Sequence, residues 1–123
     1  MADGQKQLQT LSDDYQKLQL ELQEVVDARE KLEAQNQENK SVQKEFDTID
    51  DDANIYKLIG PILLKQDKND AILAVTGRLD FIDKEIKRIE KQIADIQEKS
   101  EKKKIEVVQF QNQLQQQASS TSS

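Results

Sequence analysis

From Ile72 to Gln117 the chain keeps one rhythm without a break. Ile72, Val75, Leu79, Ile82, Ile86, Ile89, Ile93, Ile96, Ser100, Lys103, Val107, Phe110, Leu114 and Gln117 follow one another at alternating steps of three and four. Eleven of the fourteen are apolar, where a chain that is 35% hydrophobic would supply about five by composition alone. A sustained repeat of 3.5 residues is the mark of a left-handed coiled-coil seam. The carboxylate of Asp67 or Asp70 suits the start of this helix, where backbone N–H groups lack partners. A helix from about 69 to about 117 is expected, and its seam of roughly 45 residues spans about 65–70 Å at 1.5 Å per residue. The stretch from Gln109 to Ser123 is rich in Gln and Ser, and residues 118–123 read as a frayed tail.

The first part of the chain repeats the rhythm less cleanly. Leu8, Leu11, Tyr15, Leu18, Leu22 and Val25 alternate by three and four. The apolar signal then thins through Arg29, Leu32 and the stretch from Gln35 to Asn39. It resumes at Val42, Phe46 and Ile49. One stammer between Ala28 and Asn39 would restore the match. This helix is expected over about 6–49. Asp50, Asp51 and Asp52 oppose the negative end of the helix dipole and should stop it near Ile49.

The connection has a different character. Two apolar runs flank Gly60-Pro61 within about 54–66, which predicts a β-hairpin. Gly60 can supply the positive φ of the first turn position, and Pro61 suits the negative φ of the second. Two helices of similar length joined by so short a segment must pack antiparallel. The fold class expected is therefore an all-α-dominated single domain, a long antiparallel two-helix coiled coil with one β-hairpin at the connection. Facing residues should have numbers summing to about 121, with both termini at the tip far from the hairpin.

Ile55, Tyr56, Leu58, Ile59, Ile62, Leu63 and Leu64 put apolar groups on both faces of this hairpin, around the turn residues Gly60 and Pro61. A lone two-stranded hairpin is marginal in water, and both its outer edges carry unpaired backbone groups. These nine residues are therefore the candidate assembly surface, pairing edge to edge with hairpins of other chains. The competing expectation is a hairpin folded back on its own helices.

Composition narrows the chemistry. Charged residues make up 34% of the chain and aromatics 4%, too polar for an ordinary globule of 123 residues. The sequence has no Cys and no His, which removes thiol nucleophiles, disulfides, and the commonest general base and metal ligand. A net charge of −6 argues against nucleic-acid binding. No apolar run approaches the ~18 residues of a membrane span, and Met1 to Thr10 lacks the apolar core of a signal peptide. A soluble, cytoplasmic protein is expected, with no membrane and no nucleic-acid partner.

Smaller features favour bland readings. Asp50, Asp52 and Asn54 have the first spacings of a calcium loop, but Ile55 and Pro61 stand where Gly and Glu are needed. Lys102, Lys103 and Lys104 are surrounded by Glu98, Glu101 and Glu106 at helix-pairing distances, as on a solvated face. Gly77 lies off the seam inside a helix. Three glycines in all build no phosphate-cradling loop. No catalytic residue, cofactor site or metal site is expected, and the chain does not read as an enzyme. The seam near the tip differs, because Leu8, Leu11, Val107, Phe110 and Leu114 lie where the helices fray. Intermittent exposure there would let them hold apolar surface on another protein.

The hairpin string IYKLIGPILLKQ, Ile55 to Gln66, resembles that of β-type prefoldin subunits. RLDFI from Arg78 to Ile82, EIKR from Glu85 to Arg88, and KLEAQ from Lys31 to Gln35 resemble parts of their two helices. A single hairpin between the helices matches the β type, whereas the α type carries two. The resemblance implies a hexamer of two α-type and four β-type subunits whose hairpins form a double barrel. It implies coiled-coil tips that hold unfolded clients of the actin and tubulin class without nucleotide, and transfer to the cytosolic chaperonin. The alternative left standing by the residues alone is a structural coiled-coil scaffold or tether.

Overall fold

The computed structural model describes residues 2–50 and 53–121, and the side chains of these apart from Leu58, Ser120 and Thr121. Helix α1 runs Ala2–Thr48, strands β1 and β2 run Ile55–Ile59 and Ile62–Gln66, and helix α2 runs Lys68–Thr121. The contacts divide the chain into two units. One joins the first 28 residues to those from Ile89 onward, and the other is Arg29–Arg88.

Helix α2 begins where Asp67 takes the N-cap position. Its backbone carbonyl accepts the N–H of Ala71 at 3.0 Å, and Asp70 adds a negative charge in the first turn. The expected seam is the face that α2 buries. Val75, Ile82, Ile86, Ile89, Ile96 and Ser100 are buried, and the other seam positions are half-buried except Gln117. Among the described residues of α2, Ala71 is the one buried residue that lies off the expected seam. The helix continues to Thr121, so the tail expected to fray from 118 is helical through 121.

Helix α1 has no fully buried residue. It covers the other seam with half-buried side chains at Leu8, Leu11, Tyr15, Leu18, Leu22, Val25, Arg29, Leu32, Asn36, Asn39 and Phe46. This rhythm passes through the expected stammer unbroken. Val42 is 38% exposed, and Asn36 and Asn39 take the seam positions. The expectation counted apolar residues, but a long polar side chain can lay its carbons along a seam and keep its head in water. The Asn39 amide finds a local acceptor, donating to the Gln35 carbonyl at 2.7 Å.

In the first unit the two helices pack antiparallel. Gly4 lies against Leu114, Asp14 faces Lys103, and the Gln19 amide donates to the buried Ser100 hydroxyl. A Cβ at Gly4 would stand 2.8 Å from Leu114 Cδ2, so glycine permits this close approach. In the second unit α1 ends just ahead of the acidic run, as its dipole requires. Ile49 N–H still bonds the Glu45 carbonyl at 3.2 Å, and Lys68 Nζ donates to the Ile49 carbonyl at 3.2 Å. No basic residue occupies the last turn of α1, so Lys68 brings the favourable charge from the next helix. Asp51 and Asp52 lie outside the described residues, and with them part of the calcium-like spacing.

The hairpin pairs antiparallel in the register Ile55 with Gln66 through Ile59 with Ile62. Gly60 has φ 59°, and Pro61 must have negative φ. A two-residue loop with that sign pattern is of type II′, matched to the right-handed twist of the strands.

Candidate functional site

The base of the hairpin lies against the helices. Ile55 and Gln66, paired across the base, are half-buried. Tyr56, Lys57 and Gln66 line a groove of about 300 Å³ with Phe46, Val75 and Arg78 of the two helices. Beyond this, Tyr56, Ile59, Ile62, Leu63 and Leu64 are 49–63% exposed. Strand alternation puts Tyr56 and Leu63 on one face, and Ile59, Ile62 and Leu64 on the other. The sheet has two strands, so among the described residues neither outer edge has a partner. Leu58 pairs with Leu63 in the register, and Gly60 and Pro61 form the exposed turn. The fold-back alternative is therefore met only at the base.

The residues chosen at the other end of the helices, Leu8, Leu11, Val107, Phe110 and Leu114, are all half-buried. Three of them line two grooves. Leu11 and Phe110 line a groove of about 210 Å³ whose rim is Gln7, Glu106, Gln109 and Gln113. Val107 belongs to a second groove, of about 310 Å³, with Ser12, Tyr15, Gln16, Lys104 and Val108. Leu114 packs on Gly4.

Sequence reasoning missed several exposed apolar residues because they lie off the seam. Val108 is 46% exposed and completes the second groove. Leu73 and Phe81, 70% and 63% exposed, lie one helical turn on either side of Gly77. Their spacing of four and eight on the outer face is the signal that could have found them.

Several charges near these surfaces are paired locally. Lys102 bonds Glu98 at 3.3 Å, and Lys103 meets Glu106 at 3.3 Å and Asp14 at 4.0 Å. Arg88 donates to Glu85, which lowers the Glu85 pKa, first through that hydrogen bond and then through the guanidinium charge. Both lie on α2, and neither lines the grooves described above. Among the described residues no group of three or more acidic side chains is placed to hold a metal ion, and no helix is long and apolar enough to cross a membrane.

Comparison with known proteins agrees with this architecture. A family model described as prefoldin subunit matches residues 9–118. The chain belongs to the prefoldin subunit family. Prefoldin subunit 6 of Saccharomyces cerevisiae is 48% identical over 98 residues, covering 80% of this chain and 86% of the yeast protein. Prefoldin subunit 6 of Homo sapiens is 40% identical over 111 residues, covering 90% and 86% of the two chains. The crystal structure of the prefoldin beta subunit from Thermococcus strain KS-1 superposes with a TM-score of 0.76. It covers 82% of this chain and 89% of the archaeal one at 24% identity, which establishes a shared fold. The exposed hairpin is thus set on a prefoldin scaffold, and so are the two grooves along the seam.

Proposed function

We propose that the chain is a β-type subunit of a hexameric prefoldin, an ATP-independent holdase of the cytoplasm. Its partners would be two α-type and three further β-type subunits, unfolded or nascent clients of the actin and tubulin class, and the cytosolic chaperonin that receives them. The activity is binding and hand-over, with no chemical step and no cofactor.

The observation that carries this reading is the hairpin. Five large apolar side chains are 49–63% exposed on a two-stranded sheet whose edges, among the described residues, are both open. Exposed edges and apolar patches of this kind are liabilities unless another chain covers them. Hairpins of neighbouring subunits would cover them by continuing the sheet. The family membership and the subunit 6 relatives support the same assignment. In this reading Ile55, Tyr56, Leu58, Ile59, Gly60, Pro61, Ile62, Leu63 and Leu64 serve assembly. Leu8, Leu11, Val107, Phe110 and Leu114 serve the client.

The test is the light-scattering mass of the chain, alone and mixed with α-type prefoldin subunits and the remaining β-type ones. A small species that shifts to hexamer mass on mixing is the expected result. A chain that ignores every partner would return it to the class of free coiled-coil scaffolds.

A further inference from the structure

The two grooves that flank the seam near Val107 and Phe110 are chemically unlike. The one containing Leu11 and Phe110 is rimmed by three glutamines and Glu106. The one containing Tyr15, Val107 and Val108 has an apolar floor and one charged residue, Lys104. Its volume of about 310 Å³ is at the small end of pockets that hold ligands. Val108 keeps 46% of its surface in water although it borders the groove, so it offers apolar area that the coiled coil does not use.

The three consecutive lysines differ in a way that points to an occupant. Lys102 is neutralised by Glu98, and Lys103 by Glu106 and Asp14. Lys104 makes no ion pair among the described residues. An ammonium group without a carboxylate, set at the rim of an apolar groove, complements an apolar side chain followed by an acid. Glu106 on the rim of the other groove would repel the same segment.

We propose that the groove of Tyr15, Val107, Val108 and Lys104 takes up extended client segments in which an apolar side chain neighbours a carboxylate. The inference rests on the holdase reading above and adds where the client lies and which segments are preferred. It also removes the need for the seam to open, since the groove exists in the packed helix pair.

The test uses the reconstituted hexamer and two synthetic peptides with the same Leu-Phe centre, one flanked by Asp and the other by Lys. Each carries a photo-crosslinker, and the adducts on this subunit are counted and mapped. The acidic peptide should give more adducts, at Ser12–Gln16 and Lys104–Val108, by up to about fivefold, the range of an exposed ion pair. Lys104→Glu should reverse the preference and Val108→Ser should lower both yields, while Gln109→Ala on the opposite groove changes neither. Equal yields that ignore Lys104→Glu and Val108→Ser, or adducts centred on Gln7 and Gln113, would overturn the inference alone. A hexamer that takes up neither peptide would overturn the holdase reading and the inference with it.

Discussion

Ile62 and Ile82 lie in the same unit, yet 59% of one and 5% of the other is open to water. Residue type does not separate them; the period in which each is set does. Ile82 recurs with Val75, Leu79, Ile86 and Ile89 every three or four residues, so one helix face carries them all, and a single facing helix can cover it. Ile62 stands in a strand whose neighbours alternate between two faces, both with apolar groups. One chain has no second layer to close both. The coiled coil is therefore an apolar system closed within the chain, and the hairpin is one left open, which the proposed assembly would complete.

Breaking the open system has the largest expected effect. Leu63→Asp places a charge on the exposed hairpin. In the free chain its cost should stay within about 0.5 kcal/mol, as for other surface changes. In the hexamer the same charge would be desolvated, and assembly should fail outright. Light scattering reads the assembly and circular dichroism reads the helix content. Loss of helix in the free chain would mean that the hairpin is not a separate system. A hexamer that still formed would remove the hairpin from the interface.

The closed system should respond in the opposite way. Ile86 is 7% exposed, and Ile86→Ala should cost about 2–3 kcal/mol, the low end for a buried Ile because the half-buried face of α1 can relax toward the gap. The thermal midpoint of the free chain should fall, while the mass of the mixed complex at low temperature should not change. A midpoint that stayed put would show that the seam is not what holds the helices.

The same contrast governs what could be read from the residues alone. The 3–4 alternation of α2 named its buried face because isoleucine at those positions has nowhere else to go. The seam of α1 was misread between Arg29 and Val42, since Asn36 and Asn39 occupy seam positions that a count of apolar residues passes over. The hairpin was readable from Gly60-Pro61 between two apolar runs, and its positive φ from the turn those residues demand. Val108 and the second groove were not readable. Whether a residue beside the seam is covered depends on the side chains of the facing helix, and these become neighbours only after the chain has folded.

Two glycines sharpen the comparison with smaller effects. At both Gly60 and Gly77 an added Cβ meets nothing within 4 Å, so any difference is backbone alone. Gly60 has φ 59°, and Gly60→Ala should weaken the hairpin by about 1–2 kcal/mol, the cost of a left-handed conformation for an L-residue. Faster amide exchange in Ile55–Gln66 would report it. Gly77 lies inside α2, and Gly77→Ala should stabilise the free chain by about 0.8–1 kcal/mol. If that variant also weakened assembly, the exposed stripe from Leu73 to Phe81 would belong to the interface and not to open solvent.

The smallest expected effect lies on the outer face of α2, where Arg88 donates to Glu85 one turn before it, at 2.8 Å. The bond lowers the Glu85 pKa from its ordinary 4.5. A depressed carboxylate pKa favours the folded state above the ordinary value, and the benefit disappears as pH falls through the depressed one. Its carbon-detected NMR titration should therefore show a midpoint below 4.5, and Arg88→Gln should bring it back up. The pair flanks the buried Ile86 and Ile89, with Arg88 more than half exposed and Glu85 half-buried, and losing it should leave both the seam and the assembly intact. A midpoint unmoved by Arg88→Gln would mean that solvent screens the pair, and that the outer face of α2 adds charge without adding stability.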